Sequence, residues 1–202
     1  MLKNLFGKKV VINHEEQFAE WIRNGKNIPP PHIVKQKKIE EFGIKFNLST
    51  LIESGTYQGD MVEAQHQKFK SIISIELSDK LFKRAKTKFE NQKHISILQG
   101  DSGKLLSEVV KKLNAPALFW LDGHYSGGIT ALGDKECPVP EELAAIFSIN
   151  FNHIILIDDA RLFNGTHDYP TYDEIKTIVQ KFRKNYQLEI IDDIICLTPQ
   201  NH

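Results

Sequence analysis

The chain is poor in the features that would place it outside an ordinary intracellular fold. Its two cysteines, Cys137 and Cys196, cannot build a disulfide framework, so a reducing cytoplasm is the expected location. Cys196 lies in the apolar run IICLT and reads as a small core residue. Cys137 sits in a loop with no base or metal partner beside it, so no nucleophile is assigned there. A surplus of charge is also missing, since 26 basic and 26 acidic residues give a formal net charge of +0. Nucleic acid and anionic membrane surfaces both select a basic excess, so neither is expected as a partner. No segment is apolar for long enough to span a bilayer, and the start, MLKNLFGKKVVINHEE, has no apolar run of signal length.

What is present is the composition of a globular domain, 41% hydrophobic and 26% charged over 202 residues. The first part differs from the rest. HEEQFAEWIRNG reads as a short amphipathic helix closed by Gly25, and NIPPPH as a stiff connector. HIVKQKKIEEFGIKF then places Ile33, Ile39 and Phe42 at helical spacing. Residues 1–46 are therefore expected to form a helical extension or lid, and residues 47–202 the main domain.

From Leu48 onward, apolar runs alternate with helical stretches. STLIES, SIISIE, HISILQ, PALFWLD and NHIILIDD read as strands covered on both faces. GDMVEAQHQKF, SDKLFKRAKTKFENQ, DSGKLLSEVVKKLN and VPEELAAIFS read as the intervening helices, with Ser78 and either Asp101 or Ser102 as N-caps. After TYDEIKTIVQKFRKNY, the end YQLEIIDDIICLT predicts two strands joined at Asp192-Asp193. The expected fold is α/β and doubly wound: a seven-stranded, mostly parallel sheet with an antiparallel C-terminal hairpin. Ligands of such sheets bind at the carboxyl ends of the strands, and here those ends are acidic.

The first strand runs into ESGTYQGD, Glu53 to Asp60. Gly55 and Gly59 permit a sharp turn and close approach of a ligand, but the spacing G-x-x-x-G is not the dinucleotide fingerprint. A ligand carrying a small carboxylate and an ammonium fits better than a pyrophosphate, with Glu53 available to the cation. An ordinary strand-to-helix turn is the competing account. Glu76, at the second strand's end, stands about twenty residues past the loop, where an acid can accept ribose hydroxyls. Asp101 and Ser102 follow the third strand, positioned to read a nucleobase or simply to cap a helix.

This order resembles the class I S-adenosylmethionine-dependent methyltransferases from about Leu48 to Thr198. The resemblance implies a cofactor site made of Glu53, Gly55, Thr56, Tyr57, Gly59, Glu76, Leu77, Asp101, Ser102 and Asp122. The fourth strand ends on Asp122 and the fifth on Asp158 and Asp159. Like charges that close call for a cation, and an oxygen-only set suits Mg²⁺ or another hard divalent ion. The pattern is similar to metal-dependent O-methyltransferases of the catechol and macrocin types, which implies a metal role for Asp122, Asp158 and Asp159. Asp158 could instead cap the loop that follows. Catechol-type enzymes carry a lysine three residues after the strand-four acid, and macrocin-type enzymes a histidine. This chain has Tyr125 there and His124 one residue earlier, so either could serve as general base beside Asp122.

Two long loops follow, GHYSGGITALGDKECPVP and ARLFNGTHDYPTYDE, the second with Arg161, Asn164, His167, Asp168 and Tyr169. Their polar and aromatic content suits a polyhydroxylated acceptor such as a sugar. The leading expectation is cation-assisted O-methylation of a small hydroxylated molecule. The alternatives are a metal-independent methyltransferase using Asp122 and His124, or a non-catalytic cofactor-binding or interaction module. A homo-oligomer is left open.

Overall fold

The computed structural model describes residues 13–123 and 135–200. Two helices come first, α1 (His14–Arg23) and α2 (His32–Lys45). Asn13 caps α1 by accepting from Glu16 N, and Gly25, at φ +81°, follows its end. The strands are β1 (Thr50–Ser54), β2 (Ser71–Glu76), β3 (Ile95–Gln99), β4 (Leu118–Leu121), β5 (Ile154–Ile157), β6 (Tyr186–Ile191) and β7 (Ile194–Pro199). Between them lie α3 (Asp60–Gln65), α4 (Asp79–Lys88), α5 (Ser102–Val110), α6 (Val139–Ile146) and α7 (Tyr172–Phe182), with a 3₁₀ turn at Ala160–Leu162. Ser78 caps α4, Asp101 rather than Ser102 caps α5, and Thr171 with Glu174 forms a capping box on α7.

The seven strands make one sheet in the order β3-β2-β1-β4-β5-β7-β6. β1 to β5 are parallel, while β7 runs antiparallel to both β5 and β6, as expected. The β6–β7 turn is Asp192-Asp193, both at positive φ (53° and 66°), the conformation of a tight hairpin with right-handed twist. The chain reverses its direction of travel between β1 and β4, so the crevice outside their carboxyl ends is the topological switch point.

Strand side chains alternate between two cores. Ile52, Phe119, Leu121, Ile155 and Ile157 face Leu106, Val110, Leu143 and Val179 of the helices α5, α6 and α7. Leu51, Leu118, Trp120, Ile154 and Leu156 face Ile39 and Phe42 of α2, Met61 and Val62 of α3, and Phe89. The helix α2 is thus built into the second core, with Ile33 buried as its spacing predicts. Cys196 is buried in the same core, and burial pushes the thiols of Cys137 and Cys196 up to about 12. Among the described residues no helix is long and apolar enough to cross a membrane.

Candidate functional site

Strand register decides which residues meet at the carboxyl edge. β1 and β4 pair as Ser54↔Leu121, and β4 and β5 as Leu121↔Ile157. One residue further on, Gly55, Asp122 and Asp158 fall side by side. Asp122 N donates to Ser54 O at 3.1 Å and Asp158 N to Leu121 O at 3.0 Å, which carries the ladder to the acids. Gly55 cannot be replaced without disturbance: φ is +86°, and a Cβ there would stand 2.3 Å from the Asp122 carbonyl oxygen. Gly59, at φ +77°, serves as N-cap of α3, and its missing Cβ leaves space for the Phe89 ring.

The acids around this loop are held in different ways. Glu53 is 1% exposed and accepts from Ser74 Oγ, whose oxygen lies 2.6 Å from Thr56 Oγ1. Burial pushes its carboxyl up to about 8 against the opposing Ser74 hydrogen bond, with the Glu76 charge adding to the rise. Glu76 accepts from Tyr57 N at 2.7 Å and Ser78 N at 2.9 Å, so both oxygens pin backbone that begins the glycine loop and α4. Its carboxyl is likewise raised by burial. Leu77 follows it, and Gln99 donates to the Leu77 carbonyl. Asp101 accepts from Gly103 N at 2.9 Å, and Ser102 is buried beside Gly123. Tyr57, at φ +50°, is the exposed aromatic of the loop.

Behind this surface is an acid the sequence reading overlooked. Glu142 of α6 is fully buried facing the Ser54 and Ser102 hydroxyls, and burial raises it to about 7. Its spacing from Val139 and Ile146 puts it on the apolar face of its helix, a signal that was available in VPEELAAIFS.

Asp122, Asp158 and Asp159 do come together, and a fourth residue stands among them. Lys35, from the first turns of α2, donates to Asp158 Oδ2 at 2.5 Å and to Asp159 Oδ1 at 3.2 Å. Asp158 is 1% exposed, and its other oxygen accepts from Asp159 N at 2.8 Å. Asp159 Oδ1 also accepts from Arg161 Nη1 at 2.8 Å, and Arg161 continues to Asp193 in the hairpin turn. Burial drives Asp122 and Asp158 well above ordinary carboxylate values, and mutual repulsion adds to it. Burial alone would lower Lys35, but the attraction of Asp158, Asp159 and Asp122 holds it above the usual lysine value, so it remains an ammonium. In this arrangement the trio does not fit a divalent ion: N–H donors hold both oxygens of Asp158 and one of Asp159, and no group of three ligating side chains is placed for a metal among the described residues.

His124 and Tyr125, the rival bases, lie outside the described residues. In the second loop, Asn164 accepts from Thr166, Tyr169 is buried edge-on to Phe163, and Asp168 accepts from Glu136 N. His167 at 3.5 Å from Glu136 is exposed. An open groove of about 530 Å³ runs between this loop, Pro140 and α7.

No family model matches the chain, and no curated protein matches it in sequence. Solved structures do match over nearly its whole length. The methyltransferase PaMTH1 of Podospora anserina, bound to S-adenosylhomocysteine, is 13% identical, with 99% of this chain and 100% of that one covered at a TM-score of 0.57. The fold is that of the methyltransferases. An O-methyltransferase from Bacillus cereus in complex with S-adenosylhomocysteine is 12% identical, covering 93% and 90% at a TM-score of 0.60. The O-methyltransferase TomG of Streptomyces achromogenes, in complex with S-adenosylmethionine, is 12% identical, covering 95% and 93% at 0.57. In this methyltransferase fold the glycine loop, Asp122 and the Asp158-Asp159 pair lie at the carboxyl ends of β1, β4 and β5, beside the switch point.

Proposed function

We propose that the protein is a cytoplasmic S-adenosylmethionine-dependent methyltransferase acting on an oxygen of a small hydroxylated acceptor, with a sugar among the candidates. The observation that carries this reading is the meeting of the Gly55 turn with the Asp122 carbonyl, with Glu53, Glu76 and Asp101 at the carboxyl ends of β1, β2 and β3. The residues fit such a cofactor. A side chain at Gly55 would push the loop off the Asp122 carbonyl, and the buried, reluctantly ionised Glu53 suits a cationic ligand. Glu76 shapes the loop while keeping lone pairs for a ribose; Asp101 and Ser102 stand at the nucleobase side. When bound, S-adenosylmethionine supplies an electrophilic methyl group on a sulfonium.

The chain's own task is then to orient the acceptor hydroxyl, exclude water and take the proton released as oxygen is methylated. Asp122 stands at the centre of the edge for that purpose, with His124 or Tyr125 the candidates for the base. The groove beside Tyr169 offers room for the acceptor. The N-terminal helices act as a cover for the strand ends, with α2 delivering Lys35 to them. The cation-assisted version of this chemistry requires Asp158 and Asp159 to exchange their N–H partners for a metal. The ion pairs of Lys35 favour the version without one. Titration calorimetry with S-adenosylmethionine and S-adenosylhomocysteine tests the reading. Micromolar binding of both is expected, and silence at millimolar concentration refutes it.

A further inference from the structure

We infer that Lys35 is the resident cation of the strand-end acids, standing where a divalent ion would otherwise bridge Asp158 and Asp159. Three features of the molecule carry this. First, Lys35 is not a surface lysine that happens to swing inward. Its side chain is 15% exposed, against 70% for Lys83 and 62% for Lys111, and its neighbours Ile33 and Val34 are buried. The helix that carries it is fixed in the core through Ile39 and Phe42 and is clamped again by Lys38, 3.4 Å from Asp192. Second, the acids need a counter-charge, because Asp158 is 1% exposed beside Asp159 and burial without a partner would be costly. Third, the ammonium bonds to one oxygen of each member of the Asp158-Asp159 pair, as a bridging ion would.

An ammonium has three N–H donors, and Asp158 and Asp159 take two. We assign the third to the acceptor oxygen, where a fixed positive charge favours the anionic form as its proton leaves. This last step rests on the methyltransferase reading; the identity of the resident cation does not. The consequence is a two-carboxylate cation site, Asp158 with Asp159, that is masked in the native chain and becomes available when Lys35 is removed.

Mn²⁺ titration of the whole protein, followed by electron paramagnetic resonance and calorimetry, tests this. Wild type is expected to take up no stoichiometric Mn²⁺ at millimolar concentration. Lys35→Met, which keeps the apolar stem, should bind one Mn²⁺ at least tenfold more tightly than wild type, and adding Asp158→Asn should abolish the gain. Lys35→Gln should gain the same site, which covers the case in which Lys35→Met does not fold. Stoichiometric Mn²⁺ binding by wild type that is lost in Asp158→Asn overturns the inference. So does a folded Lys35 variant, judged by its melting curve, that gains no site. Failure of every variant and of wild type to bind S-adenosylhomocysteine would instead overturn the methyltransferase reading and leave the Mn²⁺ result standing.

Discussion

The two ends of one sheet bury polar groups on opposite terms. At the carboxyl edge, the carboxyls of Glu53, Asp122 and Asp158 are raised by burial, and Lys35 reaches in from another element to pair with Asp158 and Asp159. At the amino edge, His153 precedes β5 and is fully buried as well, but its Nδ1 and its carbonyl are tied locally and only Nε2 is left without a partner among the described residues. Its Nδ1 accepts from Ala117 N at 3.1 Å, its carbonyl accepts from Tyr186 Oη at 2.7 Å, and Phe119 meets its ring edge-on at a centroid distance of 5.0 Å. The second arrangement favours the folded state. The first keeps ionisable groups where they are uncomfortable, which is what a site for a charged ligand requires.

That contrast breaks most sharply at Gly55. Gly55→Ala must accept φ +86° and a Cβ 2.3 Å from the Asp122 carbonyl. The left-handed conformation costs about 1–2 kcal/mol and the overpacking a further ~1–3 kcal/mol. The loop will part from β4, so cofactor affinity should fall by more than about 100-fold in calorimetry, with a lower melting temperature.

Glu53→Gln is expected to do the reverse to stability. The carboxyl ionises near 4.5 in the unfolded chain but only at about 8 in the fold, so the folded state holds the proton between those values. Its contribution to stability is complete below pH 4.5 and is lost as pH rises through 8. Glutamine carries no such charge. The variant should therefore melt higher than wild type at pH 8, with the gap closing towards pH 5, while cofactor affinity drops about tenfold for want of the anionic partner. A variant that melts lower at pH 8 and binds normally would remove Glu53 from the site.

The sheet itself was legible, because its strands are near-continuous apolar runs and the Asp192-Asp193 turn is marked by residue type. The acids could be placed as well, since each closes a strand and register then aligns them. Lys35 could not. It sits in a helix whose apolar spacing was visible, yet nothing in HIVKQKKIEEFGIKF tells which of its lysines turns towards a strand end more than a hundred residues away. Only the docking of α2 on the sheet decides that. The expected metal was inferred from like charges in need of a cation; Lys35, which pairs with two of those acids, lies outside that local pattern.

At the amino edge the effect on ligand binding should vanish while the effect on stability persists. His153→Ala removes the acceptor of Ala117 N and the ring between Phe119 and Phe151. An orphaned buried N–H and a partly collapsed cavity together cost about 2–4 kcal/mol, measurable by urea unfolding at pH 7.5. Cofactor affinity should stay within about twofold of wild type, because His153 lies at the far end of the strands from Gly55 and Asp122. The pH dependence has a definite sign. Burial lowers His153 from 6.5 to about 4, so the fold holds it neutral while the unfolded chain would protonate it. Its contribution is present above pH 6.5 and is lost as pH falls towards 4, so the advantage of wild type over His153→Ala should shrink across that window. An advantage that grows on acidification would mean that His153 is charged in the fold, and the two ends of the sheet would then be alike.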